Sequence, residues 1–399
     1  MNEPKLRFKA DDGSQFPDWE EKKFANLYRK NVEKNVNLEF DSSKTISIAS
    51  MQFNEKGNGA SEDSLSSYKV LRLGDIAFEG HENKEYSHGR FVLNDIGDGI
   101  MSPRFSCMRP VCTQVDGFWK YYIHSERVMR NILVRSTKKG TMMHELVIPD
   151  FLKQSIMVPS IPEQQKIAEF LSTIDTVIEK QKETVSAWEE RKKGVMQKLF
   201  SQEVRFKADD GSNFPDWEEK KLGDICKTFS GGTPKSGEAR YYENGTISFI
   251  RSGEIHDDKT ELRITNDGLN ESSAKMVDIG DILYALYGAT SGEVDISKIK
   301  GAINQAILCI RPLNDFNRKF IVEILRHNKE TILRTYLQGG QGNLSAQIIQ
   351  SLVFDFPCLA EQQKIADCLS SFDEVIEKQK ATLAAWEEMK KGLLQQMFV

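Results

Sequence analysis

A stretch of 38 residues occurs twice in the chain, and this repeat restricts the possible folds more than any other feature. The copies are EQQKIAEFLSTIDTVIEKQKETVSAWEERKKGVMQKLF at 163–200 and EQQKIADCLSSFDEVIEKQKATLAAWEEMKKGLLQQMF at 361–398. They align without a gap at an offset of 198 residues and agree at 25 of 38 positions. The repeat indicates an internal duplication.

Apolar residues recur in each copy at the heptad spacing of a helix that packs along a narrow seam. The predicted seam includes Ile167, Leu171, Ile174, Ile178 and Trp188 in the first copy, and Ile365, Leu369, Phe372, Ile376 and Trp386 in the second. Two positions are polar in both copies, at Gln181 and Lys192 and at Gln379 and Lys390. Each copy is expected to form one helix on the order of 55 Å long. We interpret the pair as a spacer, with a simple core-facing helix pair as the alternative.

A second repeat precedes each variable part of the chain. The block LRFKADDGSQFPDWEEKKF at 6–24 recurs as VRFKADDGSNFPDWEEKKL at 204–222, identical at 16 of 19 positions. Its aromatic residues are expected to anchor the block against the end of a long helix. The predicted order is a block at 1–24, a variable domain at 25–160, a long helix at 161–200, a block at 201–222, a variable domain at 223–358 and a long helix at 359–399.

The two variable segments have little sequence identity but share the positions of their turns and strand ends. LRLGDIAF at 71–78 corresponds to VDIGDILY at 277–284, each a Gly-Asp turn followed by a strand. SPRFSCMRP at 102–110 corresponds to NQAILCIRP at 304–312, each a strand that ends in Arg-Pro. Apolar spacing then predicts one helix near 118–134 and one near 317–336. Both segments are therefore expected to be diverged versions of one α+β domain.

Composition excludes several classes of protein. The net charge of −5 argues against a sequence-independent nucleic-acid binder, so any DNA binding has to come from local patches or from a more basic partner. No apolar run of membrane-spanning length or export signal occurs, and the six cysteines show no CxxC spacing. These features predict a soluble, cytoplasmic protein with reduced thiols.

Glycine-rich loops are frequent in the second domain, at 229–237, 250–255, 287–294 and 338–343. Glycine lets the backbone approach a ligand closely, so the loops favour recognition of an extended polar ligand over ordinary surface turns. Nucleotide-binding, hydrolase, zinc and methyltransferase motifs are absent. His81 and His88 lie in HENKEYSH, which is either a metal or base-contacting loop or simply solvated. The chain is not expected to be a complete enzyme.

The whole chain resembles the DNA-specificity subunit of type I restriction-modification systems. The most specific segments are IPEQQKIAEFL and LAEQQKIADCL and, in the second domain, SGGTPKSG, GDILYALYGATSG and GGQGNLSAQIIQSLVFDFP. The first domain departs from the glycine-rich pattern, with GDIAFEGHENKEYSHGR and TKKGTMMHEL at the corresponding places.

This resemblance implies the fold and the partners. Two α/β target-recognition domains would alternate with two long helices packed as an antiparallel coiled coil, in an α+β fold with a pseudo-twofold internal duplication. Each domain would read one half of an asymmetric bipartite site in double-stranded DNA, and the helices would set the spacer and dock two methyltransferase subunits. Restriction/translocase subunits would join this complex, which would use S-adenosylmethionine, ATP and Mg, with no cofactor, metal or catalytic residue on this chain.

DNA contacts are expected from polar and basic loop residues, which read base edges or hold phosphates. In the first domain these are Lys84, Tyr86, His88, Arg90, Lys138, Lys139 and His144. In the second domain they are Thr233, Lys235, Arg251, Ser252, Tyr287, Thr290, Gln338, Gln341 and Asn343. Three other interpretations remain: a protein-binding scaffold whose domains recognise peptide or sugar, a standalone bipartite repressor, and an enzyme with an unrecognised site.

Overall fold

A computed structural model of the chain describes residues 4–54, 62–337 and 343–398. The chain divides into two compact units: unit 1 comprises Met1–Lys182 and Ala381–Val399, and unit 2 comprises Glu183–Lys380. Both units combine small β-sheets with helices, as the sequence predicts. Within the described ranges, no helix is long and apolar enough to cross a membrane.

Unit 1 is built around a four-stranded antiparallel sheet in the order β2-β9-β6-β7, with small two-stranded sheets beside it. Its strands are β1 (Glu20–Lys23), β2 (Tyr28–Lys30), β3 (Ile46–Ser47), β4 (Gln52–Phe53), β5 (Lys69–Leu71), β6 (Ile76–Glu79), β7 (Arg90–Leu93), β8 (Gly99–Met101), β9 (Ser106–Pro110), β10 (Thr137–Lys139), β11 (His144–Leu146) and β12 (Ser155–Val158). Its helices are α1 (Asp116–Tyr122), α2 (Glu126–Ser136), α3 (Ile148–Lys153) and the first part of α4 (Ile161–Phe200).

Unit 2 contains two four-stranded sheets, β14-β21-β18-β19 and β16-β15-β20-β17, the second with one parallel pair. Its strands are β13 (Glu218–Lys221), β14 (Cys226–Ser230), β15 (Ile247–Ile250), β16 (Leu262–Ile264), β17 (Lys275–Val277), β18 (Ile282–Ala285), β19 (Val294–Ile296), β20 (Gly301–Ile303), β21 (Ile307–Pro312) and β22 (Val353–Phe356). Its helices are α5 (Leu222–Ile225), α6 (Asn266–Asn270), α7 (Arg318–Leu337), α8 (Ala346–Ser351) and the first part of α9 (Leu359–Met397).

The predicted single helix near 118–134 is wrong, because the structure has two helices there. After α1 the chain turns through buried Ile123, and the His124 ring nitrogen Nδ1 lies 2.9 Å from the carbonyl oxygen of Phe91. This turn breaks the helix before α2 begins at Glu126. In unit 2 the corresponding α7 is continuous, as predicted near 317–336. The Gly-Asp turns and the strands that end in Arg-Pro are also confirmed.

Both long helices are confirmed, and in each unit a segment of α4 lies antiparallel to a segment of α9. In unit 2, Lys192 Nζ lies 2.8 Å from Asp373 and Glu189 lies 2.8 Å from Lys380. The partner residue number falls as the number in α4 rises, which defines antiparallel packing. In unit 1, Lys390 donates to Asp175, the residues equivalent to Lys192 and Asp373. The equivalent lysine–aspartate pairs therefore give the two helix pairings the same register.

The predicted seam residues are mostly buried. Exposed fractions are at most 5% for the seven aliphatic members, Ile167, Leu171, Ile174, Ile178, Ile365, Leu369 and Ile376. Phe372 is half-buried and packs edge-on against Trp188 of unit 2 at 6.0 Å between ring centroids, while Trp386 is half-buried in unit 1. Burial of this stripe is the main favourable term for helix pairing.

The Glu-Gln-Gln-Lys start of each long helix ties the helix to its unit through the same contacts in both copies. Glu163 is fully buried and receives hydrogen bonds from Arg7 Nε at 3.0 Å and Nη2 at 2.9 Å. The buried Gln164 side chain accepts from the backbone N–H of Val115 and donates to the carbonyl of Pro159. Lys166 pairs with Asp11 at 2.6 Å. The same four contacts recur in unit 2, where the corresponding pairs are Arg205–Glu361, Gln362–Asn317, Gln362–Pro357 and Lys364–Asp209.

Trp19 and Trp217 anchor the repeated blocks, as predicted. Trp19 packs edge-on against Phe118 and Tyr122, with ring centroids 6.2 and 5.6 Å away. Trp217 packs against Phe320 at 6.1 Å and donates its ring N–H to the Glu361 carboxylate at 3.2 Å. The block therefore joins the amino end of each long helix to the core of its own unit.

Candidate nucleic-acid interface

Three loops of unit 2 leave the sheet β14-β21-β18-β19 at one end. Ser230 at the end of β14 pairs with Leu308, and Ala285 at the end of β18 pairs with Ile307 at the start of β21. The loops after β14, after β18 and before β21 therefore emerge together. We call this edge of unit 2 its loop end.

The second sheet of unit 2 adds to the same end. β15 and β20 run parallel with Ile250 beside Ile303, so the residues that follow them leave in the same direction. A hydrogen bond from the Leu286 N–H to the carbonyl oxygen of Ala306 joins two of the loops, and Leu344 N–H donates to the Leu286 carbonyl. The loop end therefore brings together the predicted contact residues Thr233, Lys235, Arg251, Ser252, Tyr287, Thr290 and Asn343. Gln338 and Gln341 lie outside the described residues.

Arg251 is already engaged by two carboxylates. Its guanidinium donates from Nε to Glu254 at 3.1 Å and from Nη2 to Glu261 at 2.5 Å, and these bonds raise the pKa of Arg251. Burial alone would raise the pKa of Glu254, but the Arg251 guanidinium and the Glu261 backbone N–H hold that pKa below its usual value. A phosphate or base would therefore have to displace a carboxylate to reach Arg251, an arrangement that the sequence did not reveal.

The other described residues at this end differ in exposure. Lys235 and Asn343 are exposed, whereas Ser252, Tyr287 and Thr290 are half-buried, and Tyr287 packs against the core. Thr233 is exposed and donates its hydroxyl to Gln305 Oε1 at 2.7 Å. Sequence reasoning missed Gln305, although its place just before the predicted strand that ends in Arg-Pro was a usable signal.

Unit 1 has an equivalent loop end. Phe78 of β6 pairs with Ser106, the first residue of β9, and Glu79 pairs with Arg90, the first residue of β7. The loops at 80–89 and 102–105 therefore leave together. The β10-β11 hairpin joins them because His144 N–H donates to the Gly80 carbonyl at 2.8 Å. The loop end of unit 1 thus gathers all of the predicted residues Lys84, Tyr86, His88, Arg90, Lys138, Lys139 and His144.

Carboxylates neutralise part of the positive charge at the loop end of unit 1. Glu82 lies 2.6 Å from His144 Nε2 and 3.9 Å from Lys139 Nζ, and the bond to His144 lowers the pKa of Glu82. Lys138 pairs with Glu145 at 3.0 Å. The His88 and His144 rings lie 5.1 Å apart. This end of unit 1 is therefore a mixed charged surface rather than a basic one.

Tyr86 and Arg90 are mainly framework residues. Tyr86 is 5% exposed and its ring lies 5.1 Å from that of His124, and burial raises the pKa of Tyr86 to about 12. The Arg90 guanidinium lies over the Tyr86 ring and donates to the Ala49 carbonyl at 2.8 Å. In contrast Lys84 is exposed, as is Arg104, which sequence reasoning did not select.

Arg104 lines a cleft of about 470 Å³ together with Gly80, His144 and the 87% exposed side chain of Met142. A Cβ at Gly80 would collide with the His144 backbone, so the close approach of the hairpin requires glycine. The lining of the cleft combines apolar side chains with Arg104 and Glu145. In the described parts of the chain, no group of three or more His, Cys, Asp or Glu residues could hold a metal ion.

Comparison with known proteins agrees with this architecture. The family model for the type I restriction modification DNA specificity domain matches residues 100–186 and 215–385, roughly two thirds of the chain. The MjaVIII specificity subunit of a type I restriction enzyme from Methanocaldococcus jannaschii is 25% identical over 291 residues, which cover 68% of each chain.

Two solved structures share the fold. One is the S subunit of the type I restriction-modification system from M. genitalium, with a TM-score of 0.58, 15% identity and coverage of 100% of this chain and 99% of that one. The other comes from work on complex assembly and conformational transition of the type I R-M system, with a TM-score of 0.56, 19% identity and coverage of 96% and 98%. With a family model that matches most of its length, the chain belongs to the type I restriction-modification DNA specificity family.

Proposed function

We propose that each unit reads one half of an asymmetric bipartite DNA site, within the sequence-specific recognition that the family performs. The observation that carries this proposal is the contrast between duplicated framework contacts and diverged loop ends. The loop end of unit 1 presents His, Lys and Glu side chains, partly on a hairpin, whereas that of unit 2 combines Thr, Gln and Asn side chains and glycine-rich backbone with Lys235 and the carboxylate-bound Arg251. Two surfaces of different chemistry on one framework favour two different half-sites.

Genome-wide adenine methylation provides the test. We expect long-read sequencing of the host to find one bipartite, asymmetric motif that loses methylation when the gene is deleted and regains it on complementation. Chimaeras that exchange only residues 25–160 or only residues 223–358 with those of another specificity subunit should change one half of the motif. If no motif changes although the methyltransferase subunits are expressed, the proposal is wrong and the repressor or scaffold interpretation takes its place.

The two methyltransferase subunits are proposed to dock on the long helices, as the resemblance implies, with the repeated blocks at the amino ends of the helices as part of the docking surface. A core requirement preserves buried residues, yet most residues that are identical in the two blocks are exposed. Each copy presents the same exposed acids, at Asp11, Asp12, Asp18, Glu20 and Glu21 and at Asp209, Asp210, Asp216, Glu218 and Glu219. The same surface also carries exposed lysines, at Lys9 and Lys23 and at Lys207 and Lys221. Two copies of one exposed charged surface fit two copies of one partner that places basic groups opposite the acids.

Reversal of this charge is expected to weaken docking. The double variants Asp18→Lys/Glu21→Lys and Asp216→Lys/Glu219→Lys should each reduce affinity for methyltransferase subunits at one docking surface by at least about tenfold, because like charges then face each other. All four substitutions together should abolish the assembly, as measured by native mass spectrometry of the purified complex.

A matched control for docking is Glu243→Lys/Glu330→Lys, which reverses two exposed acids in the second variable domain. It should leave the complex intact. Equal loss in the control, or full assembly of the fourfold variant, would show that docking does not use the acidic blocks.

The long helices are proposed to set the separation between the half-sites. Both are continuous, and each begins in one unit and ends in the other. A helix has a fixed rise per residue, so its length can serve as a ruler.

Catalysis and cofactors are assigned to partners in this proposal. S-adenosylmethionine is proposed to bind the methyltransferase subunits, and ATP and Mg the restriction/translocase subunits, since this sequence lacks the motifs that hold them. The chain itself would contribute specificity only. The cytoplasm, where the chromosome is methylated, is the proposed location.

A further inference from the structure

Two hydrogen bonds hold the turn at Asn304–Ala306 in place. The Asn304 side-chain oxygen accepts from the Ala306 N–H at 3.1 Å, and the Ala306 carbonyl accepts from the Leu286 N–H at 2.8 Å. Ala306 is buried, whereas Gln305 between them is exposed. The Cα of Gln305 is therefore fixed while its side chain faces solvent at the loop end.

The glycine loop beside this turn is equally constrained. A Cβ at Gly231 would collide with the Ile303 carbonyl, and a Cβ at Gly232 would lie 2.6 Å from the Ser273 Cβ, so both positions require glycine. The Tyr242 hydroxyl donates to the carbonyl of Pro234 at 2.6 Å and so fixes the loop two residues after Gly232. Thr233 lies between these anchor points.

A side-chain hydrogen bond joins the two constrained segments. The Thr233 hydroxyl donates to Gln305 Oε1 at 2.7 Å. Within the part of the chain that the structure describes, the Gln305 amide nitrogen has no partner, and its Oε1 retains a second lone pair. An oriented glutamine amide with one free donor and one free acceptor matches the N7 acceptor and N6 donor of adenine in the major groove.

We propose that Gln305 reads an adenine in the half-site bound by unit 2, and that Thr233 is the positioning residue that holds the amide in the reading orientation. This inference rests on the proposed function. It adds which residue of unit 2 reads a base and which base it reads. Holding the amide in place reduces the side-chain entropy lost on binding, which strengthens a base contact. A phosphate would use only the amide N–H and leave the free acceptor site of Oε1 unpaired, so a positioning contact to the DNA backbone fits Gln305 less well.

The test uses the chain in complex with its methyltransferase subunits and a duplex panel. Each base pair of the motif found in the wild-type methylome is replaced singly, and initial methylation rates give the discrimination at every position. Gln305→Ala should lose discrimination by about 5- to 150-fold at one A·T position in one half-site, the range of a bidentate base contact. The other half-site should be unchanged.

Two further variants distinguish reading from a structural role. Gln305→Glu keeps the Thr233 bond, because the hydroxyl can donate to a carboxylate, and should shift preference at that position from A to C, since a carboxylate accepts from the cytosine amino group. Thr233→Val should weaken discrimination at the same position by a smaller factor. Asn266→Ala is the control. Asn266 carries an exposed amide at the start of α6, which follows the end of the β15-β16 pair that lies away from the loop end.

The outcomes separate the two proposals. Relaxation of one A·T position by Gln305→Ala, with the shift to C in Gln305→Glu, supports the inference. A rate loss that is uniform across all positions, no change at any position, or relaxation at a position that is not A·T overturns it. A wild-type complex that methylates no bipartite motif would instead refute the proposed function before any variant is compared.

Discussion

Replacement of Arg205 by alanine is expected to lower the free energy of unfolding of unit 2 by about 3 kcal/mol, because it leaves a buried carboxylate without its counter-ion. Glu361 is fully buried, and Arg205 donates to both of its oxygens, at 3.1 and 2.7 Å. Arg205 also donates to the Pro215 carbonyl at 2.6 Å. The substitution therefore removes the buried ion pair between the block and the first turn of α9, and Trp217 remains as the hydrogen-bond donor from the block to Glu361.

Hydrogen exchange measured by mass spectrometry reports this effect locally. Protection of the amides in the first turns of α9 should fall in Arg205→Ala, while α4 near Glu163 should keep its protection, because its partner Arg7 is unchanged. Arg7→Ala should give the reciprocal result. The duplication thus supplies an internal reference within each variant.

Lys364→Ala is the matched control for Arg205→Ala. Lys364 pairs with Asp209 at 2.6 Å, but the Asp209 side chain is 96% exposed, and an exposed ion pair contributes little to stability because water screens it. Similar loss in both variants would mean that burial of Glu361 does not govern the stability of this junction. A double variant with leucine at 205 and 361 should recover part of the loss, because no unpaired charge remains.

The framework was predictable because its physical signals are local or repeated. Heptad spacing places Ile167 and Leu171 on one face whatever the tertiary context, and the constant offset identifies Lys192 and Lys390 as equivalent. Their partners Asp373 and Asp175 are equivalent as well. The arginine pairs of the blocks were missed since no periodicity marks them, although Arg7 and Arg205 are identical in the two copies.

The positions of the loop ends were predictable from the sequence, but the ion pairs and hydrogen bonds between their side chains were not. Strand order decides which loops meet, and those predicted residues that the structure describes gather at one end of each unit. Whether a cation is available depends on carboxylates distant in sequence, such as Glu82, which lies 62 residues before His144. The exposed Gln305 was missed because its orientation comes from Thr233, 72 residues away. Such pairs follow from tertiary structure alone.

Insertion of four residues after Lys182 and again after Lys380 is expected to widen the gap between the two half-sites by one to two base pairs. Each insertion lies at the boundary between the units and lengthens a continuous helix by about 6 Å, slightly more than one turn. A base pair occupies about 3.4 Å along the duplex. The bases recognised in each half-site should stay the same, because no loop-end residue changes.

Seven-residue insertions at the same two points test the relation between helix length and gap at a second length. A heptad preserves the seam and adds about 10.5 Å, so the gap should grow by about three base pairs. Insertion into α4 alone changes one helix and leaves its partner unchanged, and it should abolish methylation at every gap length. Long-read methylomes of these strains read the gap directly. An unchanged gap in the paired insertions, with methylation at the wild-type level, would show that the helices do not measure the site.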